Sequence, residues 1–331
     1  MLNKFEIYKS RLNDENFKKK TAKLCGETAY KIFRTVLLFA MCFIIIHPVL
    51  YMVSVAFRES KDLYDPTVIW IPKNFTANNL KTVVEVLNYW KLMGNTIFYA
   101  GVSTILSVIS CALAGYGFAR FKFKLKGVLF AFLLFMIIVP PQLISIPLYL
   151  QYSDFNFFGI GSLVNMLTGA ETTVNLLNTP LTLFIPALFG TGLRSGILIY
   201  IFQQFFRGMP AALEDAAYID GCGVASTFVR IIIPNASGSF LVASLLSFVW
   251  YYNDYFFSSM YFSEAPTVSV ALAGLKSMLG AMSGGNVVAD PYAIIAQLQA
   301  GCLISILPLV LVFLLLQKQF IKSVTTSGIV G

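Results

Sequence analysis

The chain has 331 residues, of which 57% are hydrophobic and only 12% are charged. Soluble domains carry about 25% charged residues, so this composition excludes an ordinary soluble globular protein. The net charge is +8, and the chain has a single histidine, which leaves a zinc site almost without ligands. The phosphate-binding pattern G-x-x-x-x-G-K-[ST] does not occur in the sequence, which excludes a self-powered ATP-driven pump.

Six apolar runs are long enough to cross a bilayer, since a helical span needs about 20 mostly apolar residues. They cover residues 33–57, 95–119, 127–149, 181–206, 237–257 and 293–317. The sequence therefore predicts an all-α, polytopic membrane protein with six transmembrane helices. Residues 1–32 are predicted to form a polar tail in front of a transmembrane domain of residues 33–331.

The basic residues are concentrated on one side of the predicted spans. Seventeen of the 24 lysines and arginines lie before span one, between spans two and three, beside spans four and five, or after span six. Short loops rich in lysine and arginine stay in the cytoplasm. We therefore expect both termini to be cytoplasmic, and membrane topology rather than nucleic-acid binding explains the positive charge.

Spans two and three carry different packing signals. In span two, Ser103, Ser107, Cys111 and Gly115 recur every four positions, and such a stripe of small residues allows another helix to approach closely. Span three contains prolines at 140, 141 and 147. Because each proline removes a backbone donor, we expect a kinked or broken helix there, beside a water-filled path.

Four residues in spans four and five are candidates for the substrate path or for docking of a partner: Arg194, Tyr252, Asn253 and Asp254. Arg194 is either buried in the bundle, which would indicate function, or extends towards the outer face. Span five ends in WYYNDYFF near the outer interface. Amides and carboxylates can bind sugar hydroxyls, but aromatic residues also gather at interfaces without binding anything. Sugar contact, docking, gate structure and helix capping therefore remain open.

Residues 207–234, here called the polar segment, interrupt the apolar pattern. Positions 213–234 of this segment read LEDAAYIDGCGVASTFVRIIIP. Pro210 suits the first turn of a helix, and Glu214 and Asp215 suit the positive end of its dipole. Gly221 and Gly223 allow the positive φ angles of a tight turn. The pattern predicts a helix, a turn, and a second helix over about 225–232 that ends before a proline at 234.

The spacing within the polar segment matches a known motif. Asp-Ala-Ala at 215–217, three residues, Gly221, nine residues and then Ile-x-Ile-Pro at 231–234 resemble the EAA loop of the membrane subunits of ABC importers. The stretches IIVPPQLISIPLYL, WYYNDYFF and QKQFIKSVTTSGIVG are similar to the sugar-importer permeases of the maltose-transporter type, in their smaller, six-span form. Residues 160–180 are longer than is usual in that family.

The resemblance implies the type I ABC importer permease fold and a place in the bacterial cytoplasmic membrane. A solute-binding protein outside the cell would deliver a sugar, and a second permease subunit would complete the path as a heterodimer. Two cytoplasmic ABC ATPase subunits would hydrolyse ATP with magnesium, so this chain itself would bind no cofactor and catalyse no reaction. The residues implied in ATPase coupling are Glu214, Asp215, Ala216, Ala217, Gly221, Ile231 and Pro234.

Two other transport functions remain alternatives at this point. One is an ABC importer for a solute other than a sugar. A secondary transporter driven by an ion gradient fits less well, because it would need inverted repeats and intramembrane carboxylates. Asp254 is the one acid beside a span, and it lies at the end of the span.

Overall fold

The structure is a computed structural model that describes residues 15–156, 159, 166, 173–264, 266–282 and 290–327. Within these ranges all regular elements are helices, apart from two isolated β-bridges. This confirms the predicted all-α class. The first residues of the predicted polar tail, the last four residues of the chain and most of the segment 160–172 lie outside the described residues.

Fourteen helices are numbered here in chain order. They are α1 (Glu15–Ala56), α2 (Ser60–Tyr64), α3 (Asn78–Val86), α4 (Tyr89–Arg120), α5 (Lys126–Ile138), α6 (Ser145–Ser153), α7 (Leu181–Leu188), α8 (Ser195–Gly208), α9 (Ala212–Ile219), α10 (Val224–Asn235), α11 (Ser237–Tyr252), α12 (Phe256–Tyr261), α13 (Val268–Met282) and α14 (Pro291–Ser327). Helix α1 runs without a break through the boundary predicted at residue 32.

Three helices contain a stretch long and apolar enough to cross a membrane by themselves: Gly26–Ala56 in α1, Tyr89–Arg120 in α4 and Pro291–Gln319 in α14. Two bent pairs pass the same test when each pair is taken together. They are α5 with Pro141–Ser153, bent by 98°, and α10 with α11, bent by 80°. By length and composition, the described residues thus hold three spans, or up to five, where the sequence predicted six.

The fourth predicted span, residues 181–206, is not a continuous helix, and the prediction is wrong in this respect. Helix α7 ends at Leu188 and α8 begins at Ser195. Between them Gly190 and Arg194 have φ angles of 68° and 54°, which lie in the left-handed region. An α-helix cannot continue through such residues, so residues 189–194 form a break, here called the helix break.

The third predicted span is broken at its prolines, as expected. Helix α5 ends at Ile138, Val139 and Pro140 are extended, and a 3₁₀ turn begins at Pro141. The two consecutive prolines cannot donate to the carbonyls of the preceding turn, and this ends the helix. The chain then turns by 98° into α6.

Helix α4 lies at the centre of the bundle and packs against α7, α8 and α11. Its stripe of small residues is buried, which confirms the predicted close packing. A Cβ atom added to Gly115 would lie 2.6 Å from the Cβ of Phe202 in α8. Glycine is therefore needed at this position to bring the two helix backbones together.

The chain between α1 and α3 is held by two buried charged side chains. The Arg58 guanidinium donates to the carbonyls of Val68 and Ile69 at 3.0 and 2.6 Å. Asp62 accepts the backbone N–H groups of Lys73 and Asn74 at 2.7 and 2.8 Å. These bonds give the loop a defined structure, since each buried charge is satisfied by several partners.

A surface ion pair in the same loop joins Asp65 and Lys73. The hydrogen bond from the Lys73 ammonium holds the pKa of the Asp65 carboxyl well below its usual range. Both side chains are substantially exposed, so the pair adds little to stability. The loop is therefore held mainly by its buried charges.

Candidate functional site

The polar segment folds as two helices at the end of the bundle where α4 finishes, here called the proximal end. Helix α9 follows Pro210, carries Glu214 and Asp215 in its first turn, and ends at Ile219. The turn to α10 is made at Gly221, which has a φ of 81°. This confirms the predicted helix–turn–helix and the positive φ at Gly221.

Two details of that prediction are wrong. Gly223 has a φ of −75° and an extended backbone, because it is the residue that precedes α10. The second helix does not stop before Pro234 but continues through it to Asn235. The turn before the proline, Phe228–Ile232, is π-helical. A π-helical turn is wider than an α-helical one, which relieves the clash between a proline ring and the preceding carbonyls.

Glu214 faces the bundle and not the surface. Its side chain is buried, with 7% of the residue exposed, and Oε1 lies 2.7 Å from Nε of Arg120 at the end of α4. Arg120 also donates from Nη2 to the carbonyl of Met209 at 2.8 Å. One arginine therefore holds both the start of the polar segment and its first helix against α4.

The other residues implied in coupling divide by burial. Asp215, Ala216, Gly221 and Pro234 are exposed, Ala217 is buried and Ile231 is half-buried. Ala217 is therefore covered and is not available to a partner in this conformation. The exposed members lie on the surface that a partner could reach.

Sequence reasoning missed most of an apolar surface on this segment. Tyr218, Ile219 and Val224 are exposed beside the Gly221 turn, Ile219 by 86%, and Leu213 is exposed on α9. These four residues are here called the exposed ridge. The signal was present as apolar residues on both sides of the glycine turn. Large exposed apolar side chains grouped around one turn are typical of a protein–protein contact.

The helix break is fastened to two neighbouring helices. The Leu193 N–H donates to the Tyr251 hydroxyl of α11 at 3.1 Å, and that hydroxyl lies 3.1 Å from the Ser107 hydroxyl of α4. Ser110 donates to the carbonyl of Ala187 at 2.7 Å. These side chains satisfy backbone groups that a continuous helix would have paired internally.

Arg194, the last residue of the helix break, is exposed. Its guanidinium carbon lies 5.2 Å from the centre of the Trp250 ring on α11. Such a distance is typical of a cation–π contact. The sequence left open whether Arg194 is buried in the bundle or extends towards the outer face. In the structure Arg194 is not buried within this chain.

Tyr252, Asn253 and Asp254 do not form one cluster with Arg194. Tyr252 is buried, and its hydroxyl donates to the Ser305 carbonyl of α14 at 2.7 Å. Asn253 is exposed and donates to the carbonyl of Val249 at 2.9 Å. Asp254 is buried and accepts the N–H and hydroxyl of Ser258, each at 2.8 Å. Asp254 therefore caps α12, and Tyr252 joins α11 to α14.

A groove of about 650 Å³ opens at the distal end of the bundle, opposite the polar segment. Its lining includes Tyr99 and Phe262, whose rings stack at 5.8 Å, together with Lys91, Asn178 and Glu264. These residues come from distant parts of the sequence, so no local pattern could have predicted the groove. This distal groove combines apolar rings with amide and charged groups.

Comparison with known proteins agrees with this architecture. The chain is 26% identical over 296 residues to the arabinooligosaccharides transport system permease protein AraQ of Halalkalibacterium halodurans, covering 88% of this chain and 93% of that protein. It is 28% identical over 267 residues to the melibiose/raffinose/stachyose import permease protein MelC of Bacillus subtilis, covering 79% and 84%.

A solved structure has the same fold. It is the crystal structure of a bacterial ABC transporter involved in the import of the acidic polysaccharide alginate, in which one chain matches with a TM-score of 0.68 and 20% identity, over 89% of this chain and 98% of that chain. Residues 107–326 match the family described as binding-protein-dependent transport system inner membrane component. This match spans well over half of the sequence, and the chain therefore belongs to that family of multi-pass membrane proteins.

Proposed function

We propose that this chain is the permease subunit of an ATP-driven carbohydrate importer and forms half of its translocation path. The observation that carries the proposal is the polar segment, which presents the exposed ridge outwards while Arg120 ties it to α4. AraQ and MelC, with which the chain aligns over most of its length, are by name sugar permeases. A second permease subunit, in a heterodimer, completes the path.

The exposed ridge, with Asp215 and Ala216 beside it, docks into a cleft of an ABC ATPase subunit. Two such subunits bind ATP and magnesium and close on each other, while this chain carries out no hydrolysis. The ion pair between Arg120 and Glu214 passes the movement to α4. The 80° bend between α10 and α11 passes it to α11. Ile231 and Pro234 support the docking helix from α10.

The charge distribution supports a cytoplasmic position for the proximal end and for both termini, in the bacterial cytoplasmic membrane. The distal groove then opens outwards, where a solute-binding protein delivers the sugar. Aromatic rings can cover the apolar face of a sugar ring, and amides can bind its hydroxyls, so the lining of the distal groove suits that solute. A binding protein for amino acids or peptides would point to a non-sugar importer.

Within the path, the candidate residues have different roles. Arg194 is the substrate-facing residue of the helix break. Tyr252 and Asp254 hold the outer ends of α11 and α12 in place, as parts of a gate, through the contacts described above. Asn253 is exposed on the same turn and is available to the sugar or to the binding protein.

The test is uptake by the complete transporter in liposomes, with Ile219→Glu in the exposed ridge. A charge placed at an apolar contact loses its hydration, so the variant is expected to lose the ATPase during purification and to lose uptake. Ile71→Glu is the matched control, since Ile71 is 82% exposed at the distal end. That control is expected to keep its ATPase.

In the wild type, uptake should require ATP on the ATPase side. It should continue when an ionophore removes the ion gradient. Uptake that follows an ion gradient without ATP would contradict the proposal in favour of a secondary transporter. Full ATPase retention by Ile219→Glu would show that the exposed ridge is not the docking surface.

Heating the cognate binding protein with a panel of sugars, amino acids and peptides distinguishes the solute classes, because a bound ligand raises the melting temperature of the binding protein.

A further inference from the structure

The helix break lies well away from the proximal end of the bundle. Helix α8, which leads from the break into the polar segment, has 14 residues and is therefore about 21 Å long at 1.5 Å per residue. Trp250 lies 13 residues along α11, about 20 Å from the start of that helix at the same rise. If both helices begin at the inner face of a hydrocarbon core about 30 Å thick, Arg194 and Trp250 lie roughly two thirds of the way across it.

Irregular backbone at such depth is tolerated only where it is buried in protein or lines a water-filled cavity. On its inner side the helix break packs closely against neighbouring helices of the bundle. A Cβ atom on Gly192 would lie 2.4 Å from the Tyr251 hydroxyl oxygen, so this position has room only for glycine. The close packing at Gly192 and the bonds from Leu193 and Ser110 hold the break in one conformation.

The outer side of the break presents a charge that no described residue neutralises. Among the described residues Arg194 forms no ion pair, and its contact is with the ring of Trp250. Asp254, the acid nearest to Trp250 in the sequence, faces Ser258. An arginine facing lipid at this depth is costly, which favours a water-filled path with an anionic partner.

The chemistry of the guanidinium selects the kind of anion. The guanidinium carbon of Arg194 lies 5.2 Å from the centre of the Trp250 ring, and its N–H groups form no ion pair with any described residue. A guanidinium donates two parallel hydrogen bonds to a carboxylate, and these bonds are stronger and more directional than those to a neutral hydroxyl. The site is therefore matched to a planar carboxylate.

We propose that Arg194, held by Trp250, binds the carboxylate of an acidic sugar unit as the saccharide passes the helix break. This inference rests on the proposed function as a carbohydrate permease and adds the charge class of its substrate. The positive charge attracts a uronate into the path, while a neutral sugar gains only ordinary hydrogen bonds. Selectivity thus comes from the permease as well as from the binding protein.

The test uses the complete transporter in liposomes, with its binding protein unchanged. The probes are di- and trisaccharides of galacturonate, glucuronate and mannuronate, together with their methyl esters, which keep the sugar ring but remove the charge. Hydrogen bonds to charged groups correspond to about ten- to a hundred-fold in affinity. In Arg194→Gln the ratio of acid to ester uptake is expected to fall by about that factor. In Arg194→Lys, which keeps the charge and loses the paired donors, it should fall less.

Lys81→Gln removes one positive charge from an exposed residue of α3, far along the chain from the break, and should leave the ratio unchanged. An unchanged ratio in Arg194→Gln would overturn the proposal. So would equal loss of both uptakes with loss of the partner subunit, because Arg194 would then pair with an acid of that subunit. Wild-type uptake of neutral sugars but of no uronate would also overturn it. No ATP-dependent sugar uptake at all would instead refute the proposed function.

Discussion

At the scale of single residues, glycines lie where the backbone has a positive φ or where two backbones approach too closely for a side chain. Gly221 and Gly223 lie two positions apart in the same turn, and neither would place a Cβ within 4 Å of another described residue. They differ in φ, which is 81° at Gly221 and −75° at Gly223. Substitutions at these two glycines therefore differ in backbone strain but not in steric clash.

Gly221→Val is expected to distort the turn and weaken ATPase docking, while Gly223→Val should behave as the wild type. A residue with a Cβ in the left-handed region costs about 1–2 kcal/mol, and a β-branched residue is the least tolerant. The measurement is the fraction of ATPase that co-purifies and the uptake rate at equal membrane abundance. Equal behaviour of the two variants would show that the turn does not depend on its positive φ.

At the scale of elements, the packing of α4 against α8 is set by Gly115 and that of α4 against α11 by small residues on both helices. Ser239, Ala243 and Ser247 are buried on α11, in the same four-residue repeat as the small residues of α4. Small side chains let helix backbones approach closely in membranes, where apolar surface alone gives no preference between lipid and protein. The helix break and the polar segment are both positioned by this central packing.

Gly115→Ala is expected to lower the thermal stability of the protein in detergent, because its Cβ would lie 2.6 Å from the Phe202 Cβ. Overpacking of this kind costs about 1–3 kcal/mol. Gly101→Ala is the matched control in the same helix, since no atom of the described part of the chain lies within 4 Å of a Cβ at that position. The melting temperature of each variant decides the point. A Gly115→Ala protein as stable as the control would mean that α4 and α8 can separate at little cost.

At the scale of the whole molecule, the bundle has two different ends. The proximal end carries the polar segment and the exposed ridge, and the distal end carries the loop held by Arg58 and Asp62 and the distal groove. Basic residues cluster with the proximal end in the sequence, which predicts that it faces the cytoplasm. The proposed function requires this orientation, because the ATPase and the binding protein act on opposite sides.

Cys222 provides a test of orientation, since it is half-exposed in the Gly221 turn. In a chain whose other cysteines are replaced, a membrane-impermeant thiol reagent should label Cys222 in opened vesicles and not in intact cells. Bound ATPase should reduce the labelling. Ser263→Cys in the same background, at an exposed distal position, should react in intact cells. Labelling of Cys222 in intact cells would contradict the orientation and the proposed coupling together.

The sequence by itself determined the features that depend on local chemistry. Apolar length indicated helical spans, consecutive prolines predicted the break after Ile138, and the spacing around Gly221 predicted a helix–turn–helix. Each of these follows from the backbone preferences of neighbouring residues. The burial of the small-residue stripe on α4 also followed, because its period is that of a helix.

The tertiary structure alone decided the features that join distant residues. The sequence pattern favoured a continuous fourth span, but Tyr251, Ser107 and Ser110 stabilise a break there by satisfying its backbone groups. The resemblance implied Glu214 in ATPase coupling, yet the ion pair with Arg120, 94 positions earlier, holds it against the bundle. The distal groove and the contact between Arg194 and Trp250 likewise unite separate helices. Such contacts depend on which helices pack together, and the local periodicity of the sequence does not predict this.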